Sequence, residues 1–284
     1  MRRFRARVWS AFIKVEHTLF SLPMLLAGAL LASGGQPAWR SLGWAAIAGI
    51  GARTLAMALN RLIDHHLDAA NPRTQDRELP SGRMSIGEGW AIAGVGLAIY
   101  LGACFRLPPL CLWLSPVPVV VFVTYPYLKR VTPLAHFGVG LALALAPLGA
   151  HVAVTGTLKG AAPVLLLALF TLLWVAGFDI IYSTLDEGFD RAVGLHSLPC
   201  RFGSTVALRI SVLTHAVAVG ALLVLYFGYL GGGVSAALLA GVAILLAAEQ
   251  RLADRVSLAF FQINIVVGFV VLAFVIAGLG AQNT

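Results

Sequence analysis

The chain has 284 residues, 59% of them hydrophobic and 11% charged, with a formal net charge of +8. Apolar stretches long enough to cross a bilayer recur along its whole length, which excludes a soluble core and leaves a polytopic membrane protein. The positive charge comes without the basic-aromatic interleaving of a nucleic-acid surface, so it reads as a topology signal and an attraction for anionic lipid or diphosphate.

In chain order, MRRFRARVWSAFIK has the charge of a signal-peptide start. The apolar run after it begins late, contains Pro23 and is followed by further runs, so a retained first helix is expected. The hydropathy pattern predicts spans over residues 17–33, 42–60, 85–105, 109–127, 133–154, 161–182, 204–228, 231–248 and 257–279. The expected fold is therefore all-α, with nine transmembrane helices in a single domain over 1–284. Turn signals at Arg106 to Pro109 and Gly231 to Gly233 separate the paired spans there. Small residues from Gly138 to Ala150 are expected to serve close helix packing.

Charge placement sets the orientation. Of the 20 Lys and Arg residues, only Arg40, Arg106 and Lys159 fall in the loops after spans one, three and five. The positive-inside rule then puts the N-terminus and both long polar loops in the cytoplasm and Thr284 outside. All 12 acids lie on that same side or at helix ends facing it, which marks a polar working face. Residues 61–84 and 183–203 are too long and polar for simple connections and are expected to cap a cavity open to the cytoplasm. Asn71-Pro72 and Leu79-Pro80-Ser81-Gly82 should break any helix leading to the third span.

Two acidic clusters stand at the ends of apolar runs. Asn60, Asp64 and Asp68 step by about 40° on a helix and share one face. Asp179, Tyr182, Asp186 and Asp190 fall within about 80° by the same count. So many carboxylates together would repel unless divalent cations sat between them, and the simplest ligand for such a site is an Mg²⁺-bridged pyrophosphate. Lys129 and Arg130 lie on the same side, where they would clamp diphosphate oxygens or merely anchor a helix end; Arg73 and Arg77 are further clamps. Arg53 lies inside a span, seven positions before Asn60 and nearly on its face, so its guanidinium needs an anionic partner. Glu16 and His17 precede the first span and are expected to border the same cavity. Glu187, Asp76 and Glu78 read as solvated loop charges. His65 and His66 point apart on a helix and make a poor metal pair, and Cys104, Cys111 and Cys200 have no metal-ligand spacing.

ARTLAMALNRLIDHHLDAANPRTQDRELPSGR resembles the first aspartate motif of the UbiA superfamily of intramembrane prenyltransferases, and GFDIIYSTLDEGFDRAVGLHSLPCRFG resembles the second. KVEHTLFSLP at 14–23 and YPYLKRVT at 125–132 are similar to further family segments, and the likeness is greatest to the bacterial 4-hydroxybenzoate polyprenyltransferase-like branch, including enzymes of the futalosine route to menaquinone. The resemblance implies nine helices around a central cavity in the bacterial inner membrane, two Mg²⁺ ions and a polyprenyl diphosphate donor. On that reading Asp64, Asp68, Asp186 and Asp190, with Asn60, hold Mg²⁺. An aromatic acid acceptor, 4-hydroxybenzoate or a dihydroxynaphthoate, sets its carboxylate on Arg53 and its hydroxyl near Asp179 or Tyr182, while the tail exits into membrane lipid. The alternative for Arg53 is an ion pair with Glu16 or a cap carboxylate. The alternatives for the whole chain are a prenyltransferase with a haem or tetrapyrrole acceptor, and a transporter of anionic lipid.

Overall fold

The computed structural model describes residues 2–14, 18–253 and 258–282, and every regular element among them is helical. The helices are α1 (Arg2–Ile13), α2 (Thr18–Ala32), α3 (Trp39–Ile63), α4 (His65–Ala70), α5 (Ile86–Cys104), α6 (Pro109–Leu114), α7 (Pro116–Leu128), α8 (Ala135–Thr155), α9 (Ala162–Ser183), α10 (Glu187–Val193), α11 (Leu198–Phe202), α12 (Ser204–Tyr229), α13 (Gly233–Arg251) and α14 (Leu258–Gln282). Eight helical segments among the described residues are long and apolar enough to cross a membrane. The first expected span is α2, whose 15 residues reach about 22 Å, short of the roughly 30 Å hydrocarbon core.

The fourth expected span is two helices. Pro116 has no N–H for the Leu112 carbonyl, and the Ser115 hydroxyl takes that carbonyl instead at 2.8 Å. Tyr100 then donates to the Ser115 carbonyl at 3.2 Å, tying the break to α5. A further departure is α1. Its arginines read as a charged leader, yet Val8 and Phe12 are buried against Leu55, Leu59 and Ala93 of α3 and α5. The chain leaves α4 at Asn71, held extended (φ −89°, ψ 120°) by the proline that follows, and reenters helix at Ser85, where Ser85 and Glu88 form a reciprocal capping box.

Helices α2, α9, α12, α13 and α14 enclose the largest core, built on Met24, Phe170, Trp174, Leu222, Leu246 and Phe274. Polar side chains also bridge the spans there. Trp174 Nε1 donates to Asn264 Oδ1 at 2.7 Å, and Asn264 Nδ2 donates to the buried Glu249. On the other side α3 lies against α5 with Gly51 and Gly96 at the crossing: a Cβ on Gly51 would stand 2.5 Å from the Tyr100 nitrogen. Between these halves, α2, α3, α7, α8 and α9 leave a central space lined by Leu25, Ala52, Phe122, Ala146, Leu165 and Phe178.

The Gly138 to Ala150 stretch does serve packing. A Cβ at Gly140 would lie 2.2 Å from the Leu172 carbonyl oxygen of α9, whereas one at Gly149 would meet nothing within 4 Å. Gly140→Ala is expected to destabilise the protein by about 1 to 3 kcal/mol through overpacking, and Gly149→Ala to leave it unchanged or slightly more stable. Thermal unfolding of both variants in one detergent would test this; equal transition temperatures would remove the α8–α9 crossing from the account.

Candidate active site

The C-terminal turns of α3 and the short α4 carry the first acidic cluster. A break at Asp64 (φ −93°, ψ 6°) separates the helices, but the Asp64 N–H still reaches the Asn60 carbonyl at 3.0 Å and the Asp68 N–H the Asp64 carbonyl at 2.8 Å. The helical turn is thus nearly continuous, and Asn60, Asp64 and Asp68 face one chamber, as their spacing predicts. Asp179 and Tyr182 come from the end of α9. Asp186 and Asp190 come from the turn and α10 beyond it, and all four line the same chamber, whose volume is about 230 Å³. The two clusters, more than 100 residues apart in sequence, meet there.

Each of three carboxylates holds a basic side chain, where the sequence suggested bare repulsion. Lys129 Nζ is 2.6 Å from Asp64 Oδ2, and Arg77 Nη1 is 2.7 and 2.9 Å from the two oxygens of Asp68. Arg73 grips Asp186 through Nε, 2.8 Å from Oδ1, and through Nη2; its Nη1 donates to the Tyr182 hydroxyl at 2.8 Å. Lys129 and Asp64 are 65 positions apart and Arg73 and Asp186 are 113 apart, so spacing along the sequence does not reveal these two pairings. Burial alone would raise the Asp186 carboxyl, but hydrogen bonds from Arg73 and Asn71 hold it below the usual carboxylate range. Asp190 differs: among the described residues it has no ion pair, and burial raises it, opposed by a hydrogen bond from Ser197 and reinforced by Asp186.

Arg130 departs from its expected place. Its Nη2 donates to the Ile63 carbonyl at 2.9 Å and lies 3.4 Å from Asp64, and the residue lines neither this chamber nor the larger space. Of the pair at the end of α7, only Lys129 faces the chamber. Neither His65 nor His66 lines it. The loop charges are less solvated than their setting suggests: Asp76 is exposed, but Glu78 is partly buried 3.9 Å from Arg83, and Glu187 joins Arg191 at 2.8 Å to the Ser204 hydroxyl at the start of α12.

The polar chamber adjoins the central space, a cavity of about 1460 Å³; Asn60, Arg73, Arg77, Tyr125, Asp179 and Tyr182 line both. Arg53 lines the large cavity and donates to the Lys14 carbonyl at 3.4 Å. Glu16 and His17 lie outside the described residues. Several lining groups gave no sequence signal. Arg61, 5% exposed with Asp68 3.9 Å away, adds buried positive charge, and its Nε and Nη1 have no hydrogen-bond acceptor among the described residues. Asn71 Nδ2 donates to Asp186 at 2.9 Å, and His136 Nδ1 stands 2.7 Å from Asp179 Oδ2.

The donor set suits a hard divalent cation: four carboxylates and one amide, all oxygen ligands, around one small chamber. No three His, Cys, Asp or Glu side chains among the described residues converge on one point, because the carboxylates are turned onto Lys129, Arg77 and Arg73. Chemically, a compact polyanion would be held in the small chamber and a long apolar chain in the large one.

Comparison with known proteins identifies the family. The profile of the UbiA prenyltransferase family matches residues 21–260. The 4-hydroxybenzoate solanesyltransferase of Synechocystis is 34% identical over 204 residues, 72% of this chain and 68% of that protein. A UbiA homologue of Aeropyrum pernix K1, solved in its apo form, superposes with a TM-score of 0.83 at 33% identity, covering 95% of this chain and 98% of its own. A UbiA homologue of Archaeoglobus fulgidus, solved with GPP and Mg²⁺, shares the fold at a TM-score of 0.68 and 17% identity, over 98% of this chain and 100% of its own. By its paired acidic clusters, its two adjoining cavities and the family match over most of its length, the chain belongs to the UbiA prenyltransferase family.

Proposed function

We propose that this protein transfers a polyprenyl group from a polyprenyl diphosphate to the ring of an aromatic acid, 4-hydroxybenzoate or a dihydroxynaphthoate, in an Mg²⁺-dependent step of quinone synthesis. The observation that carries this reading is the junction of a small, highly charged chamber with a large apolar cavity through shared walls at Asn60, Asp179 and Tyr182. The donor has the matching form, a diphosphate on an isoprenoid chain. The name of the Synechocystis relative supports the acceptor class.

Asp64, Asp68, Asp186 and Asp190, with Asn60, are the residues that would hold Mg²⁺, which supplies positive charge where the leaving diphosphate becomes negative. Lys129, Arg73 and Arg77 already touch these carboxylates and line the same chamber, so they are placed to exchange those partners for diphosphate oxygens. The allylic carbon-oxygen bond breaks with its electron pair on the diphosphate. The ring carbon ortho to the acceptor hydroxyl then forms the new carbon-carbon bond. Asp179 accepts the hydroxyl proton as the ring attacks and returns it when the ring carbon loses its own hydrogen, so one proton leaves with diphosphate overall. Arg53 holds the acceptor carboxylate, and the apolar cavity takes the tail.

Purified protein with Mg²⁺, a polyprenyl diphosphate and each candidate acceptor should yield prenylated acceptor and diphosphate in equal amounts. Product only with a haem or tetrapyrrole would reassign the acceptor, and movement of an anionic lipid without a new bond would replace the enzyme by a transporter. The same reading sets the active-site loops in the cytoplasm of a bacterial inner membrane. A reporter fused at Thr284 should therefore be active outside the cytoplasm, and a cytoplasmic signal there would overturn this orientation.

A further inference from the structure

Among the buried side chains of the charged chamber that the proposed reaction does not use, one is titratable. His136, in the first turn of α8, is 4% exposed, and its Nδ1 lies 2.7 Å from Asp179 Oδ2 on α9. Its other nitrogen, Nε2, accepts the backbone N–H of Leu198, the first residue of α11, at 3.4 Å. A backbone N–H can only donate, so Nε2 must be the bare nitrogen of a neutral ring. The ring proton then sits on Nδ1 and is donated to Asp179.

The segment that delivers this N–H is fixed on both sides. Gly194 ends α10 in the left-handed region (φ 73°), and the Leu195 N–H then turns back to the Asp190 carbonyl at 2.8 Å. The His196 N–H reaches the Lys129 carbonyl at 2.7 Å. One strap across the chamber thus touches Asp190, Lys129 and His136 in succession.

We infer that His136 is a positioning residue: it donates Nδ1–H to Asp179, holds that carboxylate as the acceptor for the aromatic hydroxyl, and takes its tautomer from the strap that closes the chamber. The inference rests on the proposed role of Asp179 in handling the acceptor proton. Oδ2 is occupied by the ring, which leaves Oδ1 for the hydroxyl. Loss of the His136 donor would let Asp179 rotate, slowing ring attack while donor binding, which depends on other side chains, continues.

The test compares His136→Leu, which fills the space without a donor, with His136→Asn, whose side-chain amide keeps an N–H near the Nδ1 position. His136→Leu should lower kcat for acceptor prenylation by on the order of 10- to 100-fold, with the donor KM within about twofold of the parent. It should also release more diphosphate per prenylated acceptor, as water captures the uncoupled donor. His136→Asn should recover at least about tenfold in kcat over His136→Leu. Unchanged kcat in His136→Leu, or equal losses in the two variants, would overturn the inference. A second measurement is independent of activity: ¹⁵N spectra of histidine-labelled parent, with His136 assigned by its loss in His136→Asn, should show a protonated Nδ1 and a bare Nε2. The reverse pattern would also overturn it. If the parent prenylates no acceptor while its His136 spectrum is as expected, the functional reading fails and the hydrogen-bond geometry stands.

Discussion

Asp64→Asn, Asp68→Asn, Asp186→Asn and Asp190→Asn are each expected to lower Mg²⁺-dependent turnover by about 100-fold or more, since each removes a charged oxygen donor worth several kcal/mol at the leaving diphosphate. Stability should separate the four. Asp68→Asn strips the anion from Arg77 and from the buried Arg61, so it should cost about 2 kcal/mol, less than a fully buried pair because Arg77 is partly solvated. Asp190→Asn removes a carboxyl that burial raises and that has no ion pair among the described residues, so it should unfold at or above the parent temperature. An inactive but undiminished Asp190→Asn protein is the clearest evidence for a functional carboxylate, because a merely structural one would lose both properties together. Turnover near the parent level in any two well-folded variants would sink the ligand assignment.

The same ion pairs explain how the chamber tolerates its charge before a ligand arrives. Lys129, Arg77 and Arg73 neutralise Asp64, Asp68 and Asp186 across distances of 2.6 to 2.8 Å, so the charged clusters can be folded together without external ions. These partners are also the groups a diphosphate would recruit. On the proposed function, binding would be an exchange in which bases move from carboxylate to diphosphate and leave the carboxylates available to a cation.

The spans were legible because hydropathy is a property of contiguous residues: α3, α5, α8, α9, α12, α13 and α14 lie within a few residues of where the sequence predicts them. The faces of the acidic clusters were legible because helical spacing survives the small break at Asp64. Other features required long-range information. Arg130 and Lys129 are neighbours in sequence, and only the approach of α3 to the end of α7 decides that Lys129 enters the chamber while Arg130 goes to the Ile63 carbonyl. His136 is a lone histidine at the head of an apolar run, with no spacing partner to mark it. Its meaning comes from Asp179, 43 positions away, and from Leu198, 62 positions away. The amphipathic α1 was concealed for a different reason: its arginines carry the stronger topology signal, and the burial of Val8 and Phe12 becomes apparent only against α3 and α5.

Arg53→Ala is expected to lower kcat/KM for the aromatic acid acceptor by roughly 30- to 1,000-fold, or about 2 to 4 kcal/mol, the loss of a charge-assisted bidentate contact in a dry site. Donor binding should be nearly intact, because Arg53 does not line the charged chamber in which the proposed function puts the diphosphate. An acceptor of the same ring without the carboxylate should be a poor substrate for the parent and should lose little more in the variant. That crossed comparison is needed because Arg53 also donates to the Lys14 carbonyl at 3.4 Å and so helps to join the end of α1 to α3. If both acceptors lose activity equally, the joint is what mattered, and the aromatic-acid assignment loses its main physical support. If only the acid loses, the guanidinium reads the carboxylate. The carboxylate is common to 4-hydroxybenzoate and to a dihydroxynaphthoate, so the choice between one ring and two must come from the apolar walls around Arg53, and parallel kcat/KM values for the two acids measure it directly.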